Sequence, residues 1–238
     1  MSLDTQGHGS AERFSLAWAA AAPIAGWLTE QQANDLWTAT MNLAAGGRVV
    51  EIGSFHGRST VVLGLAAQAV EAQVTAVDPF RGWRHGSSDV SQDFYRNLAS
   101  NGLQARVEHR ASKSRVLRKA WFEPLELLFI DGKHDVVSAV ADLRWAKLVK
   151  PGGCVFVHDA FSSFGVTLAI FGATFWSQTL NYQGRSGSLA RFSRMPADHS
   201  SRARMLQSVP YWLQNSLTKV QNRLSRVLRP GKTFTDPY

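Results

Sequence analysis

Cysteine is almost absent from this chain of 238 residues, which contains Cys154 alone. One cysteine excludes an internal disulfide and any metal site built from several thiolates. Long apolar runs are missing as well. The N-terminal stretch SLAWAAAAPIAGWL is short, contains Pro23 and follows Glu12 and Arg13, so it fits neither a secretory signal nor a membrane span. We therefore expect a cytoplasmic protein.

Acidic residues are scarce at the C-terminal end. The segment from Ser201 to Tyr238 contains seven Lys and Arg against Asp236 alone, so it carries +6 of the net charge of +8. Leucines and valines recur there at helical spacing, which predicts a basic amphipathic helix interrupted at Pro210. We expect this tail to pack on the body or on a second subunit, and contact with an anionic membrane surface is the less favoured alternative. The nearly neutral body argues against a nucleic-acid partner.

Short runs typical of strands alternate with helical segments in the middle of the chain. The strands are predicted at 48–53, 73–78, 105–110, 125–131 and 153–159, and the helices at 58–71, 91–101, 113–121 and 136–148. Such alternation predicts an α/β fold with a parallel, doubly wound sheet.

The flanking regions complete the predicted organisation. Residues 1–10 have the composition of a disordered start, and Thr29 to Gln32 form a capping-box sequence that begins a helix. We divide the chain into an N-terminal helical segment (1–44), an α/β domain (45–197) and a basic amphipathic tail (198–238). The polar, glycine-bearing stretch 80–90, with Trp83 and His85, is predicted to be a lid.

The glycine loop in RVVEIGSFHGRST indicates the kind of ligand. Gly53 and Gly57 lack the further glycine of a dinucleotide loop, and their spacing lacks one residue of a phosphate-cradling loop. Asp78 follows Gly53 by 25 residues, at the end of the next strand, where a carboxylate can accept hydrogen bonds from ribose hydroxyls. The pattern therefore favours a nucleoside without a diphosphate.

Four segments, EIGSFHGRST, VDPF, LLFIDGKHD and VKPGGCVFVHDAF, resemble the class I S-adenosylmethionine-dependent methyltransferases. The resemblance is to the small bacterial O-methyltransferases that act on sugars and antibiotic precursors, and it covers residues 45–195. It implies a Rossmann-like sheet of seven strands whose last strand is antiparallel, with 180–194 as the closing hairpin. It also implies S-adenosylmethionine as cofactor.

The resemblance also implies functional roles for the residues of this chain that stand at matching positions. The cofactor would be bound by Glu51, Gly53, Ser54, Gly57, Asp78, Ser112 and Asp131. Ser112 has an equally good alternative as the N-cap of a helix starting at Lys113.

A divalent metal is implied at the ends of strands four and five. The implied ligands are Asp131, His158 and Asp159, and the implied ion is Mg²⁺, with Mn²⁺ as the alternative because a histidine stands in place of an acid. As catalytic residues we select Asp131 and, as general base, His134, with Lys133 or His158 as the alternative base.

These features lead to a metal-assisted O-methyltransferase that acts on a hydroxyl of a sugar, an oligosaccharide or a related small metabolite, as a homodimer. The Ala- and Arg-rich composition suggests an actinobacterial source, where similar enzymes build methylated mannose polysaccharides. Two alternatives stay open. One is an RNA or protein methyltransferase that uses the basic tail. The other is a non-catalytic protein that binds the cofactor.

Overall fold

The computed structural model of the protein describes residues 5–80, 89–196 and 199–228. Most of the predicted lid, residues 81–88 with Trp83 and His85, lies outside the described residues. The end of the basic tail, residues 229–238, lies outside them too.

In the described part of the chain, seven strands form one sheet in the order β3-β2-β1-β4-β5-β7-β6. The strands are β1 (Arg48–Ile52), β2 (Gln73–Val77), β3 (Val107–Arg110), β4 (Leu125–Ile130), β5 (Val149–Val157), β6 (Asn181–Ser186) and β7 (Leu189–Ser193). Strands β1 to β5 pair in parallel, whereas β7 is antiparallel to both β5 and β6. The predicted Rossmann-like sheet with an antiparallel last strand is confirmed.

Helices cover both faces of this sheet. They are α1 (Thr5–Ala21), α2 (Glu30–Met41), α3 (Arg58–Ala69), α4 (Val90–Ser100), α5 (Ser114–Leu117), α6 (Val136–Leu143), α7 (Phe164–Trp176), α8 (His199–Gln207) and α9 (Val209–Leu228). The capping box at Thr29 and Gln32 is present at the start of α2.

Four predicted boundaries were wrong by more than two residues. Strand β5 begins at Val149 instead of Gly153, because Val149 pairs with Leu125 of β4 before the register shifts. Helix α1 begins at Thr5, where disorder was predicted, because Ala17 and Ala21 bury a small apolar face in the core. The helices predicted at 113–121 and 136–148 shorten to α5 and α6, and each continues as a 3₁₀ turn. Such turns are common at helix ends, and propensity alone does not separate them from a regular helix.

The core consists of two layers, one on each face of the sheet. Alternate strand residues point to opposite faces, so Val49, Leu127 and Phe129 pack against α1 to α4, while Val50 and Leu128 pack against α6 to α8. Because the central strands are buried on both sides, the ligand-binding positions lie at the carboxyl edge of the sheet.

The C-terminal helices pack on the second layer. Met205 of α8 is fully buried, and Tyr211 and Trp212 of α9 pack against the same cluster. The tail is interrupted at Ser208, between the two helices and just before Pro210. Among the described residues, no helix combines the length and the apolar character that crossing a bilayer requires.

Candidate active site

The polar residues that end β1, β4 and β5 meet at one edge of the sheet. Backbone hydrogen bonds continue the ladder past the strand ends. Asp131 N donates to Ile52 O (2.8 Å), and His158 N donates to Ile130 O (2.9 Å). Because the register is held to this point, the side chains of Asp131, His158 and Asp159 leave neighbouring strands at the same level.

Gly53 allows the glycine loop to lie directly against the end of β4. Its φ is +85°, and a Cβ at this position would lie 2.2 Å from the carbonyl oxygen of Asp131. No other residue fits there without moving one of the two segments. The glycine therefore fixes the distance between the loop and Asp131.

Glu51 lies fully buried beneath the loop and holds it in place. Its Oε2 accepts hydrogen bonds from the hydroxyls of Ser54 (2.9 Å) and Thr60 (2.5 Å), and its Oε1 accepts one from Ser59 (2.5 Å). Burial raises the pKa of Glu51 to about 7, although the three hydroxyls act in the opposite direction. The carboxyl group thus joins the glycine loop to the first turn of α3.

Asp78 binds the same loop from the side of β2. Its Oδ2 accepts hydrogen bonds from the backbone of Ser54 (2.9 Å) and Phe55 (3.3 Å), and its Oδ1 accepts one from Phe80 N (2.8 Å). A carboxylate has about four acceptor positions. Asp78 therefore holds the glycine loop, and its Oδ1 keeps acceptor capacity for a further donor.

Asp131, His134 and Asp159 form the cluster that could hold a metal ion. Each offers one ligand atom, and these atoms lie within 4.8 Å of one another. His134 Nε2 lies 2.9 Å from Asp159 Oδ2, and this hydrogen bond raises the pKa of His134 against the effect of burial. Burial favours the neutral form of Asp159, but the hydrogen bond from His134 and the nearby ring of His158 outweigh it and lower the pKa of Asp159.

His158, predicted as a metal ligand, lies beneath this cluster. Its Nδ1 is 3.2 Å from Asp131 Oδ1 and 3.5 Å from Asp159 Oδ2, and neither contact has good hydrogen-bond geometry. Burial lowers the pKa of His158, but the two carboxylates dominate and raise it to about 10. The cluster whose ligand atoms lie close enough to hold a metal ion contains His134, in the place for which the sequence predicted His158.

Gln32 fixes Nε2 of His158 as a hydrogen-bond donor. The amide nitrogen of Gln32 donates to Ser186 O and Ser188 Oγ, so its Oε1 faces His158 Nε2 at 3.2 Å. Because an amide oxygen only accepts, Nε2 must be the donor. The interaction places α2 and the turn between β6 and β7 directly behind the site.

The structure resembles known methyltransferases in both sequence pattern and fold. Residues 50–160 match a family model described as a methyltransferase domain. The SAH-bound methyltransferase PaMTH1 of Podospora anserina has a TM-score of 0.60 at 10% identity, over 76% of this chain and 87% of that chain. The O-methyltransferase of Bacillus cereus in complex with SAH has a TM-score of 0.52 at 19% identity, over 78% and 90%. For the O-methyltransferase NovP the TM-score is 0.57 at 18% identity, over 71% and 83%.

This is the Rossmann-like methyltransferase fold. The sheet order and the antiparallel β7 agree with it, and the matched residues 50–160 run from β1 to just past Asp159. The matched segment therefore contains Glu51, Asp78, Asp131 and the two residues that end β5.

The start of α3, next to the glycine loop, presents backbone amides that no side chain caps. Gly57 is the N-cap with φ +91°, and no side chain caps the helix there. The first amides of a helix are donors without intrahelical partners, and they favour an anion such as a carboxylate. Gly57 cannot easily be replaced, since a Cβ would lie 3.1 Å from the ring of Phe94.

Among the predicted site residues, Ser112 has the least structural support for its predicted role. It is half-buried after β3, and its hydroxyl donates to Lys113 O (3.3 Å). The competing prediction, that Ser112 caps a helix starting at Lys113, was wrong, because α5 starts at Ser114 with Lys113 as an N-cap that makes no side-chain bond. Contact with the adenine stays a prediction.

Sequence reasoning missed two residues that support the site. Arg58 donates to the carbonyl oxygens of Ala22, Ile24 and Leu28, and so ties the loop after α1 to the start of α3. Asp142 of α6 accepts a hydrogen bond from Ser114, and its carboxylate packs against Gly132. Burial raises the pKa of Asp142 to about 6.

The signal for both was weak. Each residue is a single charge in a helical segment, a position that is usually exposed to solvent. Only the three-dimensional contacts show that Arg58 faces carbonyl groups and that Asp142 lies behind the loop after β4.

A cleft of about 540 Å³ lies on the α4 side of the glycine loop. Its walls include Trp27 and Phe55, whose ring centroids are 5.3 Å apart, together with His56 and Asp93. His56 is buried, and its Nδ1 lies 3.2 Å from Asp93 Oδ2. The cleft and the acidic cluster lie on different sides of the loop.

Proposed function

We propose that this protein is an S-adenosylmethionine-dependent O-methyltransferase that acts on a hydroxyl of a sugar, an oligosaccharide or a related small metabolite. The observation that carries the proposal is the gathering of Asp131, His134 and Asp159 beside the glycine loop. The match to a methyltransferase-domain model and the likeness to proteins named O-methyltransferases support it.

S-adenosylmethionine would supply a methyl group that is already activated as a sulfonium. In this proposal the first turn of α3 binds the carboxylate of its methionine portion, and Asp78 Oδ1 accepts a ribose hydroxyl. Glu51 contributes indirectly, because it holds Ser54 and Ser59 in the positions that shape the loop.

The chain's own residues would then orient the acceptor and remove its proton. The acceptor oxygen forms a bond to the methyl carbon as the carbon–sulfur bond breaks, and the sulfonium leaves as a neutral thioether. His134 takes the acceptor proton. Since Nε2 of His134 faces the carboxylate of Asp159, Nε2 carries a proton in the neutral ring, and Nδ1 is the basic atom.

A divalent cation would fit the same cluster. Asp131, His134 and Asp159 would hold it, and two oxygen donors with one nitrogen donor suit Mn²⁺ at least as well as Mg²⁺. Such an ion lowers the pKa of a bound hydroxyl. His134 would then be a ligand and could not serve as the base, which leaves Lys133 as the alternative.

The decisive test is product formation. We would incubate the protein with methyl-labelled S-adenosylmethionine and a panel of sugars, phenols and macrolide-like alcohols, and detect products by mass spectrometry. We expect a product whose formation is lost in Asp159→Asn. Transfer to none of these acceptors, but to RNA or protein, would overturn the proposal in favour of those substrates.

Chelation separates the two roles of His134. If a cation is required, treatment with a chelator should abolish turnover, and Mg²⁺ or Mn²⁺ should restore it. If the chelated protein turns over at the full rate, His134 and Asp159 act without a metal. The cytoplasmic location and the homodimer stay predictions.

A further inference from the structure

The net charge of the protein is confined to its last third. Residues 160–238 contain ten Lys and Arg against Asp198 and Asp236, a net charge of +8 that equals the net charge of the whole chain. The preceding 159 residues contain equal numbers of acidic and basic residues. Helices α8 and α9 contain no acidic residue at all.

Large apolar side chains are exposed on the same third of the chain. We define the apolar surface as Phe164 and Leu168 of α7 with Leu213 and Leu217 of α9, which are 66%, 41%, 53% and 63% exposed. The two helices are adjacent, because Trp212 lies 6.1 Å from the rings of both Phe164 and Phe171. Helix α7 has no charged residue.

Beyond Trp212, from Leu213 to Lys219, helix α9 turns polar residues toward the body and leucines away from it. Asn215 Nδ2 donates to Phe161 O (3.2 Å), and Lys219 Nζ donates to Ser162 O (2.8 Å), whereas Leu213 and Leu217 lie on the opposite, exposed side. A helical segment that binds the body through polar side chains and exposes its leucines indicates that a further surface covers the leucines.

We propose that the apolar surface docks on an anionic lipid membrane. An amphipathic helix that contains Lys and Arg, no acidic residue and exposed leucines binds in this way, by apolar insertion combined with attraction to lipid headgroups. The absence of acidic residues from α8 and α9 matches this partner in charge.

Charge argues against the two other occupants. A second copy docked through the same surface would bring one α9 against another, where Lys and Arg would meet no acidic partner. A nucleic acid would satisfy the cations but would leave the exposed leucines of α7 and α9 against phosphates and sugars. An anionic lipid surface provides negative charge for the cations and an apolar layer for the exposed leucines.

Sedimentation with vesicles tests the proposal on the full-length protein. We expect binding to vesicles of phosphatidylglycerol and phosphatidylcholine, and little binding to phosphatidylcholine alone. Since the Debye length falls from about 10 Å at 0.1 M salt to about 3 Å at 1 M, added salt should weaken the binding.

Matched variants separate the apolar contribution. Leu213→Ser with Leu217→Ser should lower the vesicle partition coefficient at least about tenfold, since two leucines are removed from an apolar contact. The control is Leu16→Ser on α1, an equally exposed leucine (68%) on the other face of the sheet, which should bind like the wild type. All three positions are on the surface, and unchanged melting temperatures would confirm that the variants are folded.

Four results would overturn the proposal. The first is failure of the wild type to sediment with anionic vesicles, and the second is equal binding by the double variant. The third is a dimer in light scattering that the double variant dissociates, which would assign the surface to a second copy. The fourth is tight binding of a single-stranded RNA without vesicle binding. None of these readouts requires methyl transfer, so the result stands apart from the proposed function.

Discussion

His134 makes the sharpest functional prediction, because its Nδ1 is the proposed base. His134→Ala should lower kcat by about 10² to 10⁴ while leaving the affinity for S-adenosylhomocysteine unchanged. Part of the loss should return at high pH, where solvent can take the proton. The measurement is the pH profile of kcat for the wild type and the variant.

Lys133→Ala is the matched control for His134→Ala, because it truncates the neighbouring residue of the same loop. It should keep most of the activity. If Lys133→Ala loses the activity and His134→Ala retains it, the base is Lys133, and His134 serves only to hold Asp159 or a metal.

Glu51 makes a prediction about stability. Its pKa is about 7 in the folded protein against 4.5 in the unfolded chain, so between these values the folded state binds more protons than the unfolded state. Stability therefore falls as the pH rises from about 4.5 to 7, by roughly 3 kcal/mol for this pKa difference. Urea unfolding at pH 5 and at pH 8 measures the change.

Glu51→Gln removes the titrating group and keeps the size of the side chain. The variant should lose less stability between pH 5 and pH 8 than the wild type, by about the same 3 kcal/mol. Asp142 titrates in both proteins, and its contribution therefore cancels in the comparison. Identical losses in the two proteins would contradict the pKa assigned to Glu51.

Side-chain roles were only partly predictable from the sequence. Their positions at strand ends were enough to predict that Asp131 and Asp159 lie close together, since parallel strands end at one edge of the sheet. These positions could not separate His134 from His158, because the difference depends on Gln32, more than 120 residues away in sequence. Ser112 was ambiguous for a local reason, since a serine after a strand suits a cap and a ligand equally well.

Among the secondary-structure elements, the start of α7 bears most directly on the site. Ser163 Oγ donates to His134 O (3.2 Å), and a Cβ at Gly165 would lie 2.2 Å from the same oxygen. Gly165→Ala should therefore push α7 away from the loop after β4. We expect a loss of about 1 to 3 kcal/mol of stability and a fall in kcat through displacement of His134.

Gly172→Ala on the same helix is the control for Gly165→Ala. Its Cβ would meet Trp176 at 3.6 Å, which is ordinary contact, so the change should be neutral or should stabilise the protein by up to about 1 kcal/mol. Thermal unfolding and kcat of the two variants give the comparison. Equal effects would mean that the contact between Gly165 and His134 does not constrain the helix.

The strands were predicted well because their burial on both faces gives continuous apolar runs that end in polar residues. Short helices were predicted less well. The segment 113–121 forms only the single turn of α5 and a 3₁₀ turn, since Lys113 supplies no side-chain cap and Trp121 packs on Trp145 instead of continuing the helix.

For the molecule as a whole, binding of S-adenosylhomocysteine is the first property to measure. A ligand that binds only the folded state raises the melting temperature by mass action, so S-adenosylhomocysteine should do so, and NADH and GTP should not. Asp78→Ala should abolish most of the shift, because Asp78 both holds the loop and is proposed to bind the ribose.

Asp89→Ala is a suitable control for that variant, since Asp89 is an exposed carboxylate that caps α4. It should keep most of the ligand-induced shift. Stabilisation by NADH without stabilisation by S-adenosylhomocysteine would contradict the interpretation of the glycine loop.

The overall architecture followed from the order of strands and helices, whereas the surface properties did not. The charge of the tail was readable from composition, but the outward direction of Leu213 and Leu217 depends on Asn215 and Lys219 binding the body. A helical repeat indicates that an apolar face exists. It does not show which way that face points.

The hydrogen bonds of Gln32 bear on how the protein is made. Its amide reaches Ser186 and Ser188, which follow it by 154 and 156 residues. At about 5 to 20 residues per second, a ribosome needs roughly ten to thirty seconds to add that length of chain. During this time the polar start of α2 lacks its hydrogen-bond partners, Ser186 and Ser188. Once His158 has been synthesised, its ring also lacks a fixed orientation until those partners are present. The emerging chain can complete its sheet from β1 to β5 before release, but the floor of the candidate site is assembled only when the hairpin of β6 and β7 has left the ribosome.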